Sequence, residues 1–99
     1  MPYIMAIAKY PQDLSAEVME AFANTHVDYP DIVKKLHDLA PMAHDTYENW
    51  VLYEVSNENF MEAAVFITKR YHGVATAVKG FKYKIIPMLS DEEARRMMQ

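Results

Sequence analysis

Four histidines, His26, His37, His44 and His72, offer the most obvious chemistry, and three of them have an aspartate close by: Asp28, Asp38 and Asp45. Imidazole plus carboxylate is a reasonable ligand set for zinc or iron. The spacing argues against it. No His-x₃-His or His-x-x-Glu-His pattern occurs, and His37-Asp38 and His44-Asp45 fall in turn-like sequence where such residues are ordinary. Isolated matches of this kind carry a high false-positive risk. No metal ligand is therefore assigned, and no intrinsic cofactor is expected.

Aromatic residues form the second group. Tyr3, Tyr10, Trp50, Tyr53, Phe81 and Tyr83 all fall in strand-like stretches. Together with Met5 and Met42 they could line an apolar cavity between a sheet and its helices, the usual place for a small molecule. Ala6 and Ala8 would leave room opposite the helices. Tyr10, His37, Trp50, Tyr53 and Tyr83 are the candidate ligand-binding residues. The plainer alternative, core packing plus contact with a second subunit, leads. Glu54 lies mid-strand and could act as a base in a water-poor cleft, but an ion pair with Lys82 or Lys84 is the favoured role. No catalytic residue is assigned. With no cysteine and only two glycines, Gly73 and Gly80, the chain has neither a thiol nucleophile nor a phosphate-cradling loop.

The elements that would position these residues follow from pattern. Tyr3–Tyr10 alternates as a strand, apolar on both faces except at Lys9, and Pro11 ends it. Asp13 or Ser15 could cap a first helix whose stripe is Leu14, Val18, Ala21, Phe22 and Thr25, fading near Asn24–Val27. Asp28-Tyr29-Pro30-Asp31 is turn chemistry, and Asp31 could cap one short turn over Ile32–Lys35. Leu36–Ala43 reads as an irregular edge strand, because Pro41 forbids central pairing. A helix through Ile32–Leu39 competes with that assignment. His44-Asp45-Thr46 makes a turn, and Trp50–Val55 is the clearest strand.

Ser56 or Asn57 then caps a second helix, Glu58–His72, with the stripe Phe60, Ala63, Ala64, Ile67 and Tyr71. Met61, Val65 and Phe66 widen that stripe. Gly73 would supply a left-handed cap, Val74–Lys79 a connector, and Phe81–Leu89 the last strand. Ser90-Asp91-Glu92-Glu93 has the pattern of a capping box for a short C-terminal helix. A helix that short does not persist alone in water, so Ala94, Met97 and Met98 must pack or fray.

Strand, helix, strand, strand, helix, strand predicts an α+β fold: a ferredoxin-like βαββαβ sandwich with one four-stranded antiparallel sheet and both main helices on one face. Residues 1–99 form one domain. A chain this size buries only ~60–70% of its unfolded surface, yet 52% of its residues are hydrophobic. The surplus points to a homodimer through the open sheet face. A net charge of −4 without a basic stripe speaks against nucleic-acid binding. The start lacks a basic n-region and no apolar run approaches ~18 residues, so no membrane association and a cytoplasmic location are expected.

Lys9-Tyr10-Pro11, Leu52-Tyr53-Glu54-Val55, and Gly80-Phe81-Lys82-Tyr83-Lys84-Ile85-Ile86-Pro87 followed by Ser90-Asp91-Glu92-Glu93-Ala94 resemble small prokaryotic proteins of the dimeric α/β-barrel superfamily. The resemblance spans most of the chain outside residues 24–48, and its motifs are structural. It implies dimerisation but no single activity, since fold does not choose function. Two expectations follow. One is a non-catalytic dimeric domain binding a small apolar or aromatic molecule between sheet and helices. The other is a cofactor-independent monooxygenase-like enzyme, with Trp50, Tyr53 and His37 orienting an aromatic substrate.

Overall fold

The computed structural model describes residues 2–25, 29–41 and 46–98. Among them the order is β1 (Tyr3–Pro11), α1 (Ser15–Asn24), β2 (Val33–Leu39), β3 (Thr46–Val55), α2 (Phe60–Ala77), β4 (Lys82–Met88) and α3 (Asp91–Met97). The strands form one four-stranded sheet in the order β2-β3-β1-β4, with every neighbouring pair antiparallel. The fold is α+β, and its element order and pairing are compatible with the ferredoxin-like arrangement. No helix among the described residues is long and apolar enough to cross a membrane.

The two-residue strand period divides the sheet sharply. Ile4, Ala6 and Ala8 of β1 and Val51, Tyr53 and Val55 of β3 are buried, as are Val18 and Ala21 of α1 and Ala63, Ile67, Tyr71 and Val74 of α2. These form the core between sheet and helices. The other face carries Tyr3, Met5, Ile7 and Lys9 in register with Glu54, Leu52, Trp50 and Glu48. On the far side of β1 the same four pair with Met88, Ile86, Lys84 and Lys82.

Several boundaries differ from expectation, each for a local reason. Neither Asp13 nor Ser15 caps α1: a 3-10 turn at Gln12–Leu14 runs straight into the helix, and Leu14 is its N-cap without a side-chain bond. No helical turn occupies Ile32–Lys35, and no helix runs through Ile32–Leu39. The amide of Val33 donates to Pro30 O at 2.9 Å, and Val33 then pairs at once with Val55. Burying that valine is worth more than one unsupported turn. The edge strand is irregular, with a bulge between Lys35 and His37. It ends at Leu39, so Ala40 and Pro41 lie beyond it. Met42, Ala43 and the turn at His44-Asp45 fall outside the described residues, and Thr46 already belongs to β3.

The second helix starts and stops later than its sequence suggests. Its N-cap is Asn59, not Ser56 or Asn57, although Asn59 Nδ2 donates to Ser56 Oγ at 3.0 Å. It also runs through Gly73 to Ala77, so Lys69, Arg70 and His72 sit inside it. Continuing the stripe buries Val74 completely and Val78 nearly so, which outweighs the cost of a helical glycine, about 1 kcal/mol. A Cβ on Gly73 would meet Thr25 Cγ2 at 3.4 Å, an ordinary van der Waals contact, so neither close approach nor backbone conformation demands glycine here. The left-handed position falls instead at Gly80, with φ of 100°, in the turn before β4. Met61 and Val65, expected to widen the inward stripe, are exposed at 73% and 46%.

The capping box forms: Glu93 N donates to Ser90 Oγ at 3.2 Å and Ser90 N donates to Glu93 Oε1 at 3.0 Å. The helix behind it buries no residue, and Met98 is 88% exposed.

Candidate functional site

A cavity of about 630 Å³ opens between the sheet and the two main helices. Strand alternation delivers Tyr47, Asn49, Val51 and Tyr53 of β3 to the same side, beside Tyr10 of β1. Met19 and Phe22, three apart on α1, share a helix face and close the space with Arg70 and Tyr71 of α2. Tyr29, from the segment before β2, and Lys35 and Asp38 of β2 complete the polar part of the wall.

Seven rings cluster here. Tyr10 meets Tyr47 edge-on at 5.9 Å and stacks on Phe81 at 6.0 Å. Phe22 meets Tyr71 edge-on at 5.7 Å, and Tyr29 meets Tyr53 at 5.6 Å. The Arg70 guanidinium lies over two of these rings, 5.7 Å from the Phe22 centroid and 5.4 Å from that of Tyr29. That distance is within cation–π range.

Three hydroxyls meet at the base of the cavity. Tyr53 Oη lies 2.9 Å from Tyr29 Oη and 3.5 Å from Tyr71 Oη. Tyr53 and Tyr71 are only 1% and 2% exposed, so burial is the main force driving both hydroxyls above the ordinary tyrosine range. For Tyr53, repulsion by a Tyr71 phenolate and the hydrogen bonds from both neighbours add to it. For Tyr71, the hydrogen bond with Tyr53 and the charge of Arg70 pull the other way without cancelling it. Tyr10 is raised as well, by burial and then by Tyr47. Both buried hydroxyls therefore stay protonated at neutral pH and can only donate or accept hydrogen bonds. The arrangement suits binding. A base–nucleophile pair is not among the wall residues.

The five candidate residues divide, although Trp50 and Tyr83 both line a second hollow, of about 730 Å³, with Phe81, Lys82 and Lys84. Tyr10 and Tyr53 line the cavity. Tyr83 projects to the same side of the sheet but stands behind Tyr71, at 6.1 Å, with its hydroxyl 3.5 Å from His72 Nδ1. Trp50 and His37 belong to the opposite face, where Trp50 pairs with Ile7 and His37 with Leu52. The trio Trp50, Tyr53 and His37 thus shares no common space within one chain. Tyr3 and Met5 also occupy the open face, while Ala6 and Ala8 are packed in the core and leave no room. Glu54 sits across from Tyr3 and Lys34, not from Lys82 or Lys84.

Sequence reasoning missed Phe22, Tyr29, Arg70 and Tyr71 as wall residues. Tyr71 did carry a signal: it is the one residue with a hydroxyl on the inward stripe of α2. Tyr29 carried none, since its place depends on a long-range turn. Among the described residues no three His, Asp or Glu side chains gather as a metal site. His26 and His44 lie outside those residues.

No family model matches the chain, and no curated protein does. Among solved structures, a de novo designed protein, Foldit4, superposes with a TM-score of 0.59 over 91% of this chain and 99% of its own, at 8% identity. That likeness is one of fold alone. The Bacillus subtilis YXEP protein, a dinuclear metal-binding peptidase of the M20 family, gives a TM-score of 0.43 at 13% identity. The match covers 98% of this chain but 32% of that one.

Proposed function

We propose that this chain is a small-molecule-binding domain of the ferredoxin-like type that holds an apolar or aromatic ligand between sheet and helices and works as a homodimer. The observation that carries the binding role is the cavity of about 630 Å³ walled by tyrosines and Phe22. Ligand pockets typically measure ~300–1,000 Å³ and pair apolar walls with a few fixed polar groups. The Tyr29–Tyr53–Tyr71 hydroxyls are such groups.

The dimer rests on the other face. Met5, Ile7, Trp50, Leu52 and Ile86 are neighbours there by register. Lys34 and Glu54 flank them at one end, and Lys9, Glu48, Lys82 and Lys84 at the other. An apolar centre with charges of both signs at its ends can mate with its own copy about a two-fold axis. Covering ~800 Å² per subunit would give an interface of standard size. This is the dimeric α/β-barrel arrangement that the motifs of β1, β3 and β4 resemble.

The experiment is native mass spectrometry on tag-free protein, followed by denaturing extraction of what it carries and by titration with naphthalene-sized fluorescent probes. A dimer mass with a retained or readily bound small molecule is expected. A monomer at ~10 μM that takes up no aromatic probe would reject both halves of the proposal.

A further inference from the structure

The charged groups of the cavity wall are not equivalent. Lys35 Nζ lies 3.5 Å from Asp38 Oδ2, and Asn49 Nδ2 donates to Asp38 Oδ1 at 2.5 Å. The Glu48 carboxylate accepts from Trp50 Nε1 at 3.1 Å. Arg70 differs. Among the described residues it has no carboxylate partner, and its only contacts of note are the two ring faces of Phe22 and Tyr29. A guanidinium has five N–H donors in a planar fork. Ring faces stabilise its charge and hold it in place, yet they satisfy few of those donors. A cation set between rings on a cavity wall, with no carboxylate partner among the described residues, is arranged to receive an anion.

We infer that the ligand of this cavity is a small organic anion, an aromatic or alicyclic carboxylate or sulfonate. Its acidic group pairs with Arg70 and its apolar body lies among Tyr10, Tyr47 and Val51. This rests on the reading of the cavity as a binding site, and it adds the charge of what binds. Bidentate pairing with Arg70 supplies orientation, and the Tyr29 hydroxyl can donate to the same group. Asp38 and Glu48 would repel an anion, but each is already held by a donor of its own. The apolar body then decides affinity and the acid decides which way round it sits.

The test uses two probes of one skeleton. 8-Anilinonaphthalene-1-sulfonate is anionic, and N-phenyl-1-naphthylamine is its neutral counterpart. Both are titrated into the wild-type chain, R70M and R70K at low salt. Backbone amide shifts at Phe22, Val51 and Tyr71 locate the binding. The expected result is shifts at those amides and binding of the sulfonate at least about tenfold tighter than the neutral probe, as for a charge-assisted contact. R70M should remove that preference while changing the neutral probe less than about twofold, and R70K, which keeps the charge but not the planar fork, should keep part of it. Equal binding of the two probes by the wild type, or equal weakening of both in R70M, overturns the anion inference and leaves the cavity as a neutral site. No shift at the three amides with either probe instead rejects the binding reading itself. Should R70M fail to fold, the wild-type preference and its partial retention in R70K decide the matter. Loss of sulfonate affinity with added sodium chloride, at constant neutral-probe affinity, is the accompanying sign.

Discussion

The two faces of one sheet both carry large apolar side chains, and these have opposite fates. On the helix side Ile4, Ala6, Ala8, Val51, Tyr53 and Val55 are at most 3% exposed. On the other side Trp50 and Ile86 remain 37% exposed and Leu39 58%. Size explains part of the difference. Small residues at Ala6 and Ala8 allow the helices to settle close, whereas the open face carries Met5, Trp50 and Leu52, long side chains that cover one another. Placement of charge explains the rest. Lys9, Glu48, Glu54, Lys82 and Lys84 fall on the open face, whereas the helix side takes strand charges only from the edge strand, at Lys35 and Asp38. One face is filled from within the chain, and the other keeps its larger apolar side chains part-exposed among charges.

The largest expected effect tests that contrast directly. Ile67→Ala removes a side chain with no exposed surface, so urea unfolding should show a loss of ~2–5 kcal/mol. Leu52→Asp, on the half-buried open face, should cost far less within the chain, and its effect should appear as association. Sedimentation should shift from dimer to monomer, or the protein should aggregate. Equal destabilisation by both, with no change in association, would erase the distinction between the faces.

Much of this division was legible in the sequence. The alternation in Tyr3–Tyr10 separates Tyr3, Met5 and Ile7 from Ile4, Ala6, Ala8 and Tyr10 as the structure does, because period two is local. The cavity expected from chemistry, however, mixes the two faces by including Tyr3, Met5 and Trp50. The capping box at Ser90 and Glu93 was equally local. The failures were long-range. Val33 pairs rather than coils because Val55 is waiting for it, and Gly73 stays helical because Val74 and Val78 find a core beyond it. The cavity was half legible for the same reason. Tyr10 and Tyr53 were among the residues named, but Arg70, inside the expected helix and beside its inward stripe, carried no mark of a wall residue because its place depends on Phe22 and Tyr29 from distant segments. His37 and Trp50 seemed suitable by chemistry alone, and parity with the bulge at Lys35/His37 puts them on the other side.

A medium effect probes the buried hydroxyls, which only the covered face has. The Tyr53 and Tyr71 hydroxyls are raised in the folded chain, so the folded state keeps protons that the unfolded chain releases above its ordinary tyrosine pKa of ~10. Stability is therefore fully present below pH ~10 and is lost as pH rises further, by up to ~1.4 kcal/mol per pH unit for each such group. Tyr53→Phe should cost ~1–3 kcal/mol at pH 7, since Tyr71 loses a buried partner. Above pH ~10 the variant should decline less steeply, and the gap to wild type should narrow. Parallel stability curves for the two proteins up to pH 11 would show that Tyr53 ionises freely and that the covered face is wetter than it looks.

The smallest effect concerns α3, which belongs to neither face. Ser90→Ala removes the acceptor for Glu93 N and breaks a box that forms on both sides. Cap losses usually cost ~0.5–2 kcal/mol of helix stability. Here most of that should stay local. The helix buries nothing, its Met97 is 74% exposed, and seven residues are too few to persist without the cap. Hydrogen exchange at the amides of Ala94–Met97 should accelerate severalfold, while the urea midpoint moves by less than ~0.5 kcal/mol, as for surface changes. The Glu93 carboxyl, held below its ordinary pKa first by its bond from the Ser90 backbone, gives a second readout. Its stabilisation is present above pH ~4.5 and fades as pH falls, and because the backbone N–H of residue 90 survives in the variant, protection of these amides should weaken in acid in both proteins. A global loss above ~1 kcal/mol would mean that α3 is packed in solution. A second copy across the open face would be the first place to look, since Met88 and Leu89 already lead the chain there, exposed at 40% and 46%.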